Sequence, residues 1–196
     1  MQHNFDIYRQ AITGLNPNIT DEEWDYFQSG LTVQTFKPRE FYIEAGKKTH
    51  QLGFLISGLI RVYFINHLGE DITISFVKEN EYATDYTSLI TQTPSKYNFQ
   101  CLEPGIIISQ PYAHIQKGYD RYIGFERYGR LIAEEVLKMQ QKRIESFQFD
   151  NAEQRYLNFI KQNPDLFNRI SLTHLSSYLG IERPSLSRIR KKIVGL

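Results

Sequence analysis

The chain has 196 residues, 41% apolar and 14% aromatic, enough to bury a core in one large or two small domains and too aromatic for a disordered chain. No apolar run reaches the ~20 residues that cross a bilayer, and "MQHNFDIYRQ" lacks a charged leader followed by an apolar stretch, so neither a membrane span nor a secretory signal is expected. The formal net charge of +1 hides an imbalance: residues 1–150 hold 15 Lys and Arg against 19 Asp and Glu, and residues 151–196 hold 8 against 3.

The one cysteine, Cys101, rules out an intramolecular disulfide and a cysteine-held metal or iron–sulfur site, and it fits a reducing cytoplasm. A basic end on an otherwise acidic chain points toward nucleic acid, although a basic tail is often only a solvated surface.

In chain order, "TDEEW" comes first. Thr20 and Glu23 have the spacing of a capping box, which predicts a short helix through Phe27. From Leu31 the period changes to two. "LTVQTF", "FYIEAG", "LGFLISG", "LIRVYFIN", "DITISFV", "YNFQCLE" and "GIIISQ" are rich in β-branched and aromatic residues. Turn residues separate them, as in "KPRE", "AGKK", "SG", "HLGED", "TPS" and "EPG". Many short strands over about residues 31–110 predict a sandwich or barrel.

After Pro111 the turn signals stop. "FERYGRLIAEEVLKMQQKRIESFQ" runs without proline, with Phe125, Tyr128, Ile132, Val136 and Met139 spaced 3, 4, 4 and 3 apart. That seam suits a helix packed on its own sheet or a parallel helix pair between two subunits. A helix of roughly 25 residues, about 37 Å long, outruns a small domain, so the homodimer is favoured. Asp150 and Glu153 then offer a second capping box, with a helix from about Asn151 and a hinge at Phe149–Asp150. Asn163-Pro164 ends that helix.

"SLTHLSSYLGIERPSLSRIRKKI" reads as two helices with a tight turn. Leu172, Leu175 and Leu179 share one face of the first, Gly180 reverses the chain, and Pro184 opens the second. Leu186, Ile189 and Ile193 face back into the first helix. At 100° per residue, Pro184, Ser187, Arg188 and Lys191 lie opposite that stripe, with Ser185, Arg190 and Lys192 on the flanks. Such a helix, apolar inside and cationic outside, fits a DNA major groove. The plain alternative is a terminal helix whose cations complement its own dipole. The ordered apolar, small and Gly positions of a helix–turn–helix favour DNA.

No nucleophile–base–acid set is visible. No two of the five histidines fall within ten residues of each other, so a jelly-roll enzyme with clustered metal ligands is not expected. The chain is read as no enzyme, with no metal and no cofactor. His50, His67 and His114 are scattered, which leaves a haem ligand without support.

With these residues in view, the chain resembles the Crp/Fnr family of bacterial transcription regulators over nearly its whole length. "FLISGLIRVYF" is similar to the family's strand–Gly–strand hairpin, and "SYLGIERPSLSRIRKK" to its DNA-reading segment. "KRIESFQFDNAEQRYLNFIKQNPDL" looks like the subgroup common in Bacteroidetes. The resemblance implies an α+β chain: a cyclic-nucleotide-binding-like jelly roll over residues 1–120, a dimerisation helix over 121–149 and a winged helix–turn–helix over 150–196. It implies double-stranded DNA, a second copy of the chain, RNA polymerase and a small effector as partners. Positions equivalent to Arg183, Pro184 and Arg188 would face bases; Pro184 replaces a carboxylate, so the operator should differ from that of the best-known members. Members that bind cyclic AMP hold its ribose with Gly-Glu and its phosphate with Arg-Ser or Arg-Thr. Here the matching places read Thr84-Asp85 and Ser95-Lys96, and Met139 and Gln140 stand where an adenine would be met. An effector other than cyclic AMP, or none, is expected. The competing reading keeps the fold but has the dimer act only through protein partners.

Overall fold

The computed structural model describes residues 2–194. Helices α1 (Gln2–Leu15) and α2 (Asp21–Ser29) lead into strands β1 (Thr32–Phe36), β2 (Phe41–Ile43), β3 (Gln51–Ser57), β4 (Ile60–Ile65), β5 (Asp71–Val77) and β6 (Tyr82–Ala83). Helix α3 (Tyr86–Thr91), strands β7 (Asn98–Cys101) and β8 (Gly105–Pro111), and helices α4 (Tyr112–Arg121), α5 (Ile123–Phe149), α6 (Ala152–Gln162), α7 (Leu172–Leu179) and α8 (Arg183–Val194) follow. A short 3₁₀ turn occupies Pro164–Leu166.

The strands form two four-stranded sheets, ordered β1-β8-β3-β6 and β2-β7-β4-β5. The alternation of sequence neighbours between sheets is that of a jelly-roll sandwich. Gly53 to Ile56 of β3 are all buried, as a strand covered on both faces must be. Gly58 makes the β3–β4 turn: its φ is 100°, and a Cβ there would stand 2.8 Å from the Pro104 carbonyl oxygen, so only glycine fits.

The chain divides into two compact units. The first comprises the chain up to Val62 with Phe76–Glu134; the second comprises Tyr63–Ser75 with the chain from Glu135 onward. In the first, Tyr8 and Ile12 of α1, Trp24 and Phe27 of α2, Phe54, Ile56 and Ile108 of the sheet, and Phe125 and Tyr128 of α5 make one apolar cluster. The Thr20 cap works as expected: Glu23 N–H donates to Thr20 Oγ1 at 3.2 Å, and Thr20 N–H to Glu23 Oε2 at 2.9 Å. The other Glu23 oxygen accepts from Gly124 N–H at 2.9 Å, tying α2 to the first turn of α5.

Three expectations change. The expected seam does not run along one exposed face, because Phe125 and Tyr128 are buried in the chain's own core and Ile132 packs against that core. Phe125 lies 4.5 Å, ring to ring, from Phe27. Val136 is half-buried, and Met139 is exposed, as is Leu137. Next, the cap of α6 is Asn151, which accepts from Gln154 N–H at 3.0 Å. Asp150 instead accepts from Ser146 Oγ at 2.8 Å. Lastly, no strand follows Pro111 among the described residues, so no wing accompanies α7 and α8 there.

Candidate functional site

In the second unit, Tyr156 and Phe159 of α6, Leu166, Leu175 and Leu179 of α7, Ile181, and Leu186 of α8 are buried. The turn between α7 and α8 is set by Gly180, at φ 61°. Its N–H donates to the Ser177 carbonyl at 3.2 Å, and Ile181 N–H to the Ser176 carbonyl at 3.0 Å. This doubly bonded, left-handed ending sends the chain into α8. Ser171 caps the start of α7 by accepting from His174 N–H at 3.1 Å.

Leu186 anchors α8, fully buried, with Ile189 and Ile193 half-buried on the same side. On the other side Arg183, Pro184, Arg188, Lys191 and Lys192 are exposed, and Ser185 and Ser187 are half-buried. Arg188 Nη2 donates to Ser185 Oγ at 3.1 Å, which leaves most of its donor fork facing outward. Arg190 lies over the Phe167 ring at 4.7 Å, drawn back onto its own unit. Lys192 is ion-paired with Glu153 of α6 at 2.9 Å, a partner that sequence spacing did not announce. A phosphate would have to take Lys192 from that carboxylate.

The sensor residues divide differently. Asp85 caps α3: Oδ1 accepts from Ser88 N–H at 3.2 Å, and Oδ2 accepts from Ser95 Oγ at 2.8 Å. Both Asp85 and Ser95 are buried, so they bind each other. Thr84 is half-buried, with its hydroxyl oxygen lacking a partner. Lys96 is exposed. Met139 and Gln140 are exposed on the part of α5 that belongs to the second unit. A cyclic nucleotide's phosphate brought to the start of α3 would meet the Asp85 carboxylate instead of a cation.

A cavity of about 30 Å³ lies elsewhere in the first unit, lined by Phe27, Leu52, Tyr86, Gln110, Ile115, Tyr119, Phe125, Tyr128, Gly129 and Ile132. Gln110 Nε2 donates to the Phe27 carbonyl at 3.0 Å, and its Oε1 is buried without a partner. This space suits a water, not a nucleotide. Burial, and secondarily Glu40, push the Cys101 thiol up to about 11, which makes it a poor nucleophile. Among the described residues no group of three or more His, Cys, Asp and Glu is placed to hold a metal ion, and no helix is long and apolar enough to cross a membrane.

Residues 33–122 match the cyclic nucleotide-binding domain family. The chain matches no curated protein sequence. Its fold is shared with solved Crp/Fnr-type regulators. The c-di-GMP-responsive global regulator CLP of Xanthomonas campestris superposes with a TM-score of 0.70 at 12% identity, over 90% of this chain and 92% of that one. FixK2 of Bradyrhizobium japonicum gives 0.73 at 13%, over 84% and 85%. The catabolite activator protein of Thermus thermophilus gives 0.57 at 14%, over 92% and 86%.

Proposed function

We propose that this chain is a DNA-binding transcriptional regulator of the Crp/Fnr type, acting in the cytoplasm as a homodimer on a near-palindromic operator. The observation that carries the reading is the outer face of α8, where Arg183, Pro184, Arg188 and Lys191 stand exposed on a helix fixed from behind by Leu186. Cations on a protruding helix that follows a tight turn match the width and charge of the major groove. Arg188 is assigned to a guanine and Lys191 to phosphate, with Arg183, Pro184, Ser185 and Ser187 at the base edges and Lys192 as a phosphate contact released from Glu153.

The dimer is assigned to the C-terminal half of α5. Leu137 and Met139 are exposed there, and Val136 flanks them. Two α8 helices related by a two-fold axis reach successive major grooves about 34 Å apart, so half-sites should repeat every 10–11 base pairs or so. The sensor is assigned an effector other than cyclic AMP, because the Asp85–Ser95 pair occupies the start of α3.

Selection of duplexes from a random pool by the purified full chain tests the proposal. Enrichment of a two-fold symmetric sequence is the expected outcome. Uniform retention of all sequences, with binding that vanishes in salt, would leave α8 a cationic surface only and favour action through protein partners.

A further inference from the structure

The groups that hold the α7–α8 turn come from outside it. Arg143, half-buried near the end of α5, donates from Nη2 to the Tyr178 carbonyl. Its guanidinium lies 3.8 Å from the Tyr178 ring centre and 4.5 Å from that of Phe147. Arg155, in the first turns of α6, donates from Nε to the Leu179 carbonyl at 2.8 Å and from Nη2 to the Gly180 carbonyl at 3.3 Å. Its Nη1 reaches back to the Asp150 carbonyl at 2.8 Å, and its guanidinium also faces Phe147, at 5.3 Å. A Cβ on Gly180 would stand 2.8 Å from a Phe147 ring carbon.

Three successive carbonyls at the end of α7 therefore accept from two guanidinium groups. A helix leaves these carbonyls unbonded, and cations there complement its dipole. Bringing two like charges together out of water is costly: burial, with Arg155 opposing further, holds the Arg143 pKa below its ordinary value. Packing alone would hold a turn without that cost. What the two arginines add is direction, since a planar fork bonds and stacks in one orientation. The alternative path between α5 and the turn runs through Asp150 and Asn151, which are not helical and whose dihedrals are the natural hinge.

We propose that Arg143, Phe147 and Arg155 form a clamp that fixes the direction of α8 relative to the end of α5, making them positioning residues for the half-site spacing that a dimer accepts. The proposal rests on the DNA-reading function above. Arg155 fastens the turn to α6 beyond the hinge, while Arg143 and Phe147 stand before it, so α8 cannot swing about Asp150 and Asn151 without breaking the Arg143 bond to the Tyr178 carbonyl and the Phe147 contacts with Arg155 and Gly180.

The test uses the full chain and the duplex it selects, with the half-sites moved apart by one and two base pairs. Wild type is expected to lose about 100-fold on the two-base-pair insertion, which turns one half-site by about 70°. The double variant Arg143→Lys, Arg155→Lys keeps both charges and loses the forks. It should bind the original and shifted spacings within about fivefold of each other, a freed hinge absorbing the rotation. A variant that binds all spacings more weakly but keeps the wild-type ratio between them overturns the clamp and leaves the arginines a purely stabilising role. If the double variant does not fold, Phe147→Leu, which keeps an apolar side chain and removes the ring faces, is read in the same way. Steep spacing dependence in wild type and in every folded variant overturns the clamp alone. A wild type without sequence preference overturns the DNA-reading proposal and the clamp's role with it.

Discussion

Replacing Phe125 by alanine separates the two meanings of the α5 seam. Phe125 is 1% exposed. Its ring meets Phe27 at 4.5 Å and Tyr26 at 5.7 Å, centre to centre. A buried Phe→Ala change costs about 3–5 kcal/mol where the site cannot collapse, and aromatic pairs add ~0.5–1.5 kcal/mol each beyond area. The neighbouring cavity of about 30 Å³ shows that packing here is already imperfect, so some relaxation is available. The expected loss is about 4 kcal/mol. In urea, with a slope of about 2 kcal/mol per molar, the midpoint should fall by roughly 2 M. Because the ring packs within one chain, the loss should be the same at protein concentrations tenfold apart. A loss below about 1 kcal/mol, or one that appears only on dilution, would place the Phe125 ring at a subunit interface and refute the reasoning.

Other consequences can be checked separately. Leu137→Asp, on the exposed part of α5, should convert dimer to monomer in sedimentation while leaving the thermal unfolding of the first unit unchanged; a variant that stays dimeric at micromolar concentration would move the interface elsewhere. Cyclic AMP at millimolar concentration should give no saturable heat in calorimetry, and a micromolar dissociation constant would mean that Asp85 gives up its α3 cap on binding. At alkaline pH, burial raises Tyr42 and Tyr119 to about 12 each. The folded state thus resists ionisation, so stability present below the unfolded tyrosine value near 10 should fall as pH rises from about 10 toward 12, by about 2–3 kcal/mol for Tyr42. Unfolding followed by tyrosinate absorbance would contradict this if stability were flat across that range.

The strands were legible because alternation, β-branched content and glycine turns agreed; only the two-residue β6 escaped. The helices were legible where a cap or a stripe marked them, except α3, whose Asp85 cap opens only six residues within the strand-rich region. Helix α1 was not, because Tyr8 and Ile12 alone of "QHNFDIYRQAITGL" are buried, too sparse a stripe to show. Helix α4 was not legible either, because Tyr112–Arg121 has no side-chain cap, and its separation from α5 at Tyr122 uses an extended backbone (φ −131°, ψ 118°) that needs neither glycine nor proline. At α6 two adjacent residue pairs could each cap the helix, and sequence cannot choose between Asp150 with Glu153 and Asn151 with Gln154. The same 3-4-4-3 spacing serves an intrachain core and a dimer, which is why Phe125 and Tyr128 were misassigned. On α8 the outward row was readable from 100° geometry. The Lys192–Glu153 pair and the two arginines on the turn were not, since they join residues 24 to 39 positions apart.

The measurement that bears most directly on the account is the affinity of Arg188→Ala for the selected duplex and for a scrambled one, across a salt series. If α8 reads bases, the variant loses about 1–3 kcal/mol on the selected duplex and its discrimination flattens at one base pair per half-site, with little change on the scrambled one. Lys191→Ala, measured beside it, should weaken both duplexes alike and lower the salt slope by about 1 for each phosphate that is no longer neutralised. Equal losses on both duplexes for Arg188→Ala would contradict the account, because the outer face of α8 would then be sensing charge without sequence.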